Sequence, residues 1–107
     1  MTLLFVCQGL LFIVLGIPLY LKKIGPNGFY GFRTNKTLSD PEIWHAVNRI
    51  GGIDMCIAGS LIILGSLLFK IFLNSYDPSI LAYANLALLI GAVTAVIVHF
   101  IIVLRRY

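Results

Sequence analysis

Very few side chains in this chain are equipped for chemistry. Arg33, Lys36, Asp40, Glu42, His45 and Arg49 share one polar stretch, residues 25–49 (GPNGFYGFRTNKTLSDPEIWHAVNR), while Asp54 and His99 lie inside apolar runs. Arg33 stands in Gly31-Phe32-Arg33-Thr34, a lone cation among aromatic residues. A guanidinium so placed can grip a phosphate or a carboxylate with paired N–H donors. It can equally lock the loop to Asp40, Glu42 or Asp54. Asp54 and His99 are the ionisable residues expected within hydrocarbon, where a carboxylate costs ~2.5–3.5 kcal/mol on insertion scales and normally faces a partner or water. The two suit either a proton or cation site or a hydrogen bond that ties two helices together. Asp54 turning back to Arg49 or Arg33 is the competing arrangement, and Gln8 with Asn85 forms a second candidate polar contact.

Other chemistries fail on spacing. No serine–histidine–acid set, glycine-rich phosphate loop or pair of catalytic carboxylates can be assembled, so no catalytic residue and no enzyme activity is expected. His45 has no second close His or Cys, so no metal site or cofactor is expected. Cys7 and Cys56 each lie in an apolar run and read as small buried hydrophobes near opposite membrane faces, with no disulfide. Asn35-Lys36-Thr37 matches a glycosylation sequon, but on the side of the membrane where it would be accidental.

The elements that must position these residues are set by composition. The chain has 107 residues, 60% of them hydrophobic and 11% charged. A soluble domain is nearer one quarter charged, and a small one cannot hide this much apolar surface. The net charge is +4. The basic residues flank apolar runs instead of clustering with aromatic residues, a pattern of topology signals and headgroup contact that excludes nucleic acid as the partner.

Residues 2–21 carry no charge and are long enough to cross ~30 Å of hydrocarbon. They lack a basic leader and a small-residue cleavage site, and are read as a retained helix with Pro18 kinking or ending its last turn. Gly25-Pro26-Asn27-Gly28 is a turn signal. Ser39-Asp40-Pro41-Glu42 starts a helix, either with Ser39 as N-cap and Glu42 closing a capping box, or with Asp40 as N-cap and Pro41 at the first helical position. Ile43, Trp44, Val47 and Ile50 then form an apolar stripe. This predicts a short amphipathic interfacial helix over 40–49 with Trp44 at headgroup depth. Gly51-Gly52 marks a bend into a second span over 50–72, and a third span covers 79–104. The fold class is therefore an all-α membrane protein, one membrane domain with three transmembrane helices plus the interfacial helix between the first and second.

Small residues mark places of close helix approach, within the chain or in a homo-oligomer: Gly9 and Gly16, then Gly52, Gly59 and Ser66, then Ala87, Gly91 and Ala95. Lys22, Lys23, Arg33 and Lys36 on the first loop, with Arg105 and Arg106 at the C-terminus, predict an extracytoplasmic N-terminus and a cytoplasmic first loop and C-terminus.

The polar stretch resembles the SdpI family of bacterial multi-pass membrane proteins. The resemblance is carried by Tyr30-Gly31-Phe32-Arg33-Thr34, then Thr37-Leu38-Ser39, then Trp44 and Asn48, followed by glycine and a long apolar helix. It extends over about the first two-thirds of the chain, the third span matching only in being apolar. It implies a cell-membrane protein that recognises a peptide toxin, a lipid or a cytoplasmic partner protein, in immunity to a membrane-active antimicrobial peptide and associated signalling. Tyr30, Gly31, Phe32, Arg33, Thr34, Ser39, Trp44, Asn48 and Asp54 would form or brace that surface. The rival reading is a small oligomeric transporter or channel subunit that uses Asp54 and His99 as its proton or ion site.

Overall fold

The computed structural model describes residues 2–28 and 30–107. Its elements are α1 (Thr2–Tyr20), α2 (Asn35–Ser39), α3 (Pro41–Phe72) and α4 (Pro78–Leu104). α1, α3 and α4 are long and apolar enough to cross a membrane. The all-helical membrane class expected from composition holds. α1 and α4 both pack along α3 and scarcely touch each other. In outline the molecule is a V of helices, 52 Å along its longest axis.

A short helix does separate the first two spans, but it lies at Asn35–Ser39 rather than 40–49. The 40–49 stretch is the first part of α3, a single helix of 32 residues. Its start resolves the two capping alternatives. Asp40 is the N-cap, its carboxylate accepting from the Glu42 N–H at 2.9 Å, and Pro41 occupies the first turn. α4 begins with the same device, Asp77 before Pro78. Ser39 is instead the last residue of α2, its hydroxyl donating to the Lys36 carbonyl at 2.8 Å.

α3 runs unbroken through Gly51-Gly52, and both glycines are used for close approach. A Cβ on Gly52 would lie 2.5 Å from the Gly16 carbonyl oxygen, and one on Gly51 would lie 2.2 Å from the Phe32 ring. Two turns on, a Cβ on Gly59 would lie 2.4 Å from the Gly9 carbonyl oxygen. The glycine pairs thus bring the α1 and α3 backbones together where any side chain would hold them apart. The small row on α4 has no such role within the chain: Ala87, Gly91 and Ala95 are all exposed, and nothing lies within 4 Å of a Cβ built on Gly91.

Pro18 stays inside α1 rather than ending it. The helix ends two residues later at Tyr20; beyond it Lys22 takes φ 59° and the Lys22 and Lys23 N–H groups donate back to the Leu19 and Pro18 carbonyls. This is the crossed pair of bonds that closes a helix around a left-handed residue.

The buried apolar set is small: Phe5, Leu19, Trp44, Val47, Ala58, Ile62 and Val103. Most other large apolar side chains face outward, as a lipid solvent permits. Cys7 is among the outward-facing residues and Cys56 is half-buried, so only apolar surroundings, not burial, are common to the two free thiols. They are also closer in depth than opposite faces. The Gly9–Gly59 and Gly16–Gly52 contacts set Cys7 level with Leu61, about five residues or ~7.5 Å from Cys56 along the axis.

Candidate functional site

The segment between α1 and α3 is built by local turns and then fastened to all three long helices. Asn27 starts it. Its Oδ1 accepts from the Tyr30 N–H at 2.7 Å, and its Nδ2 donates to the Gly25 carbonyl at 2.8 Å. Tyr30 then donates its phenolic O–H to the Leu15 carbonyl on α1. Burial pushes the Tyr30 phenol above its ordinary pKa, which keeps that proton in place.

Gly31 follows at φ +111°, a conformation open to glycine alone. A Cβ there would also lie 2.8 Å from Asn48 Oδ1 and 2.9 Å from the Trp44 ring. The loop therefore lies flat on α3 at this point. Asn48, 1% exposed, receives it: its Oδ1 accepts from the Phe32 N–H at 2.6 Å. Its Nδ2 donates to the carbonyls of Trp44 at 2.9 Å and Phe32 at 3.3 Å. One amide side chain thus does for the loop what a neighbouring strand would do. Trp44, fully buried, donates its indole N–H to the Ile24 carbonyl at 2.7 Å, so it ties the segment after α1 to α3.

The Phe32 ring fills the hollow above Gly51 and reaches α4, its centroid 5.1 Å from that of Phe100. Thr34 then caps α2. Its hydroxyl accepts from the Thr37 N–H at 3.1 Å, while Thr37 Oγ1 accepts from the Thr34 N–H at 2.7 Å. Thr37 is fully buried and also donates to the Phe32 carbonyl at 3.0 Å. Lys36 closes the circuit: its ammonium donates to the Leu104 carbonyl at 2.8 Å, at the negative end of the α4 dipole.

Arg33 takes no part in this fastening. It is exposed, and among the described residues it makes no hydrogen bond or ion pair, to Asp40, Glu42, Asp54 or any other group. Arg49, by contrast, lies over the Tyr20 ring at 5.0 Å. His45 lines a shallow hollow with Lys22 and Glu42 and has no ligating neighbours; no group of three His, Cys, Asp or Glu able to hold a metal occurs among the described residues.

Asp54 and His99 meet across α3 and α4, Oδ2 to Nδ1 at 2.5 Å. The carboxylate side chain is 16% exposed and the imidazole 45%, so the pair opens sideways out of the bundle. It forms the loop-proximal end of a groove of about 230 Å³ that also includes Leu61 and Ala95. Asp54 does not turn back to Arg49 or Arg33.

Gln8 and Asn85 do not meet. The α3–α4 register set by Asp54–His99 and by Gly65 against Leu88 brings Asn85 level with Leu68, whereas Gln8 is level with Ser60, ~12 Å away along the axis. Asn85 Nδ2 donates instead to the Leu81 carbonyl at 2.9 Å. The buried oxygens of Gln8, Ser66 and Asn85 are left without hydrogen-bond partners among the described residues.

Between α1 and α4 the V encloses an apolar cleft of about 310 Å³. Its walls are Phe12 and Leu15 on one side and Val93, Val96 and Ile97 on the other, with Met55 behind and Tyr30, Gly31 and Phe32 as its floor. Sequence reasoning singled out most of the floor but missed the cleft and the parts played by Asn27, Lys36 and Thr37. The Thr34-x-x-Thr37 spacing was a usable signal for the last of these.

Three membrane-length helices and a loop fastened across one end of them define a small multi-pass membrane protein with a built, rather than flexible, polar segment. Residues 23–104 match the SdpI/YfhL protein family, and the chain belongs to it. The match begins after α1 and runs to the last residue of α4, so it covers the third span and not the first, unlike the extent read from the motif alone. No curated protein and no solved structure matches the chain.

Proposed function

We propose that the chain is a non-enzymatic recognition protein of the cell membrane, binding a peptide, lipid or partner protein at its loop end and giving immunity to a membrane-active antimicrobial peptide with associated signalling. The observation that carries this reading is the division of labour in the loop. Tyr30, Gly31, Phe32, Thr34, Trp44 and Asn48 are spent on holding it in place, and Arg33, the cation set among them, is presented with its donors unused among the described residues. A fixed scaffold that displays a free guanidinium one residue along the chain from the floor of an apolar cleft suits binding of an anionic or amphiphilic group. Among the described residues no arrangement of nucleophile, base and oxyanion donors accompanies it. Deletion is expected to sensitise cells to a membrane-active peptide, and unchanged sensitivity across a panel of such peptides would overturn immunity.

In this reading the loop and the C-terminus are cytoplasmic, since Lys22, Lys23, Arg33, Lys36, Arg105 and Arg106 gather at that end. A reporter fused after Tyr107 is expected to be active only in its cytoplasmic form.

A second reading is supported by the Asp54–His99 pair. A hydrogen-bonded acid and imidazole opening sideways from two spans suits a proton or ion site completed in an oligomer. Reconstituted protein should then carry a pH-gradient-driven flux that Asp54→Asn abolishes; absence of flux from the native chain disposes of this reading.

A further inference from the structure

We propose that the cleft between α1 and α4 is a lipid site, in which one acyl chain of an anionic phospholipid from the loop-side leaflet lies in the cleft and its phosphate is held by Arg33. The proposal rests on the recognition reading above and names the ligand class of that site.

Depth is the first argument. The contacts of Gly9 with Gly59 and Gly16 with Gly52 set Phe12 level with Cys56, and the Asp54–His99 contact sets Val93 level with Ser60. The floor lies at Gly51, on which Phe32 packs. From there to the level of Ser60 is nine residues of α3, ~14 Å at 1.5 Å per residue, against ~15 Å for half of a 30 Å hydrocarbon core. The cleft is therefore one leaflet deep and ends at the membrane's polar boundary.

Its chemistry is the second. The walls carry no charged side chain, and the one hydroxyl on the floor, that of Tyr30, is engaged with the Leu15 carbonyl. The lining is almost wholly apolar and offers little to hold a polar ligand or a water. An apolar gap left empty forfeits the dispersion contacts of its walls. Ile97, half-exposed, stands at the mouth, so the gap communicates with the surrounding bilayer, whose solvent is acyl chain.

Charge supplies the headgroup. Seven of the eight Lys and Arg residues, all but Lys70, gather at the loop end against Asp40 and Glu42. Lys36 is committed to the Leu104 carbonyl and Arg49 to the Tyr20 ring. The other five, Lys22, Lys23, Arg33, Arg105 and Arg106, have no side-chain partner among the described residues, and of these Arg33 directly follows Phe32, which floors the cleft. Chain below and phosphate above are thus offered within one residue of each other.

Native mass spectrometry of the full chain, released from micelles with equal phosphatidylglycerol and phosphatidylcholine of the same chain length, tests this. The native protein should retain one phosphatidylglycerol, in preference of about tenfold, as one charge-assisted contact allows. Arg33→Gln should abolish that preference while leaving total lipid retention, and Arg106→Gln should change neither. Val96→Phe fills the cleft and should remove retention of both lipids; Ile97→Trp, at the half-exposed mouth, should do so without strain on the interior. Equal retention of the two lipids, equal effects of Arg33→Gln and Arg106→Gln, undiminished retention in both cleft variants, or a lipid-free dimer would each overturn the proposal. So would displacement of the lipid by an equimolar apolar helical peptide. Peptide sensitivity of deletion strains reads the broader recognition function separately, so either can fail alone.

Discussion

Replacing Gly31 with alanine should loosen the whole loop, and the size of the effect can be worked from two separate contributions. The residue sits at φ +111°, outside the regions that an L side chain adopts readily, which costs about 1–3 kcal/mol for a non-glycine residue. The new methyl would also stand 2.8 Å from Asn48 Oδ1 and 2.9 Å from the Trp44 ring, both buried and both hydrogen-bonded. Neither neighbour is the free end of a flexible chain, so relief requires giving up a hydrogen bond or shifting α3, at about 1–3 kcal/mol for overpacking. Together these predict a loss of about 2–6 kcal/mol. Unfolding of purified protein in mixed micelles with rising dodecyl sulfate, followed by helical circular dichroism and Trp44 fluorescence, gives the measurement. Trp44 is the chain's one tryptophan and lies at the contact, so its emission reports the loop directly. Gly28→Ala is the matched control, since nothing lies within 4 Å of a Cβ there. If Gly31→Ala and Gly28→Ala unfold at the same detergent fraction, the account of the loop as a fixed brace is wrong.

Three further perturbations probe other parts of the scaffold. Gly52→Ala would place its methyl 2.5 Å from the Gly16 carbonyl oxygen and force α1 off α3; a loss of about 1–3 kcal/mol in the same titration is expected, against no loss for Gly91→Ala. Asn48→Leu keeps the branched outline but strands the Phe32 N–H, which should cost about 1–3 kcal/mol and give faster amide exchange at Phe32. Asp77 caps α4, and hydrogen bonds from the Ser79 backbone and side chain hold its carboxyl below the ordinary value of 3.8. Its contribution is therefore complete above that value and is lost as pH falls through the lowered folded-state pKa. Exchange protection at Ser79 should fall across that acid window, and Asp77→Asn, which caps without titrating, should remove the dependence.

How much of this was readable in advance differs by element. The long helices were legible because a chain so poor in charge leaves few other folds, and their ends were marked by Asp-Pro pairs that both cap and start a helix. The short helix was read five residues too late. Ser39 and Glu42 have the spacing of a capping box, whereas the box that forms uses Thr37 at the position where a Glu or Gln is expected. Gly51 and Gly52 were visible as glycines, but a glycine pair reads alike whether it bends a helix or admits a neighbour. The Asp54–His99 contact follows from counting residues in from the loop end on both spans. The same counting from the other end misled for Gln8 and Asn85, because the first and third long helices begin at different heights. Arg33 could be singled out, but not its lack of a partner, since that depends on where Asp40 and Glu42 are turned.

The Lys36–Leu104 bond has a mechanical consequence. With α1 and α4 each resting on α3 but hardly on each other, the three helices resemble tongs, and the loop is the rivet: it grips α1 at Leu15, α3 at Asn48 and α4 at Phe100 and Leu104. Among the described residues nothing equivalent spans the opposite end, where Ser66 and Asn85 keep oxygens unpaired. Thermal splaying of α4 should therefore grow with distance from the loop. Anything that wedges the jaws apart at the far end will load the rivet, carrying an event on one side of the bilayer to the other as tension.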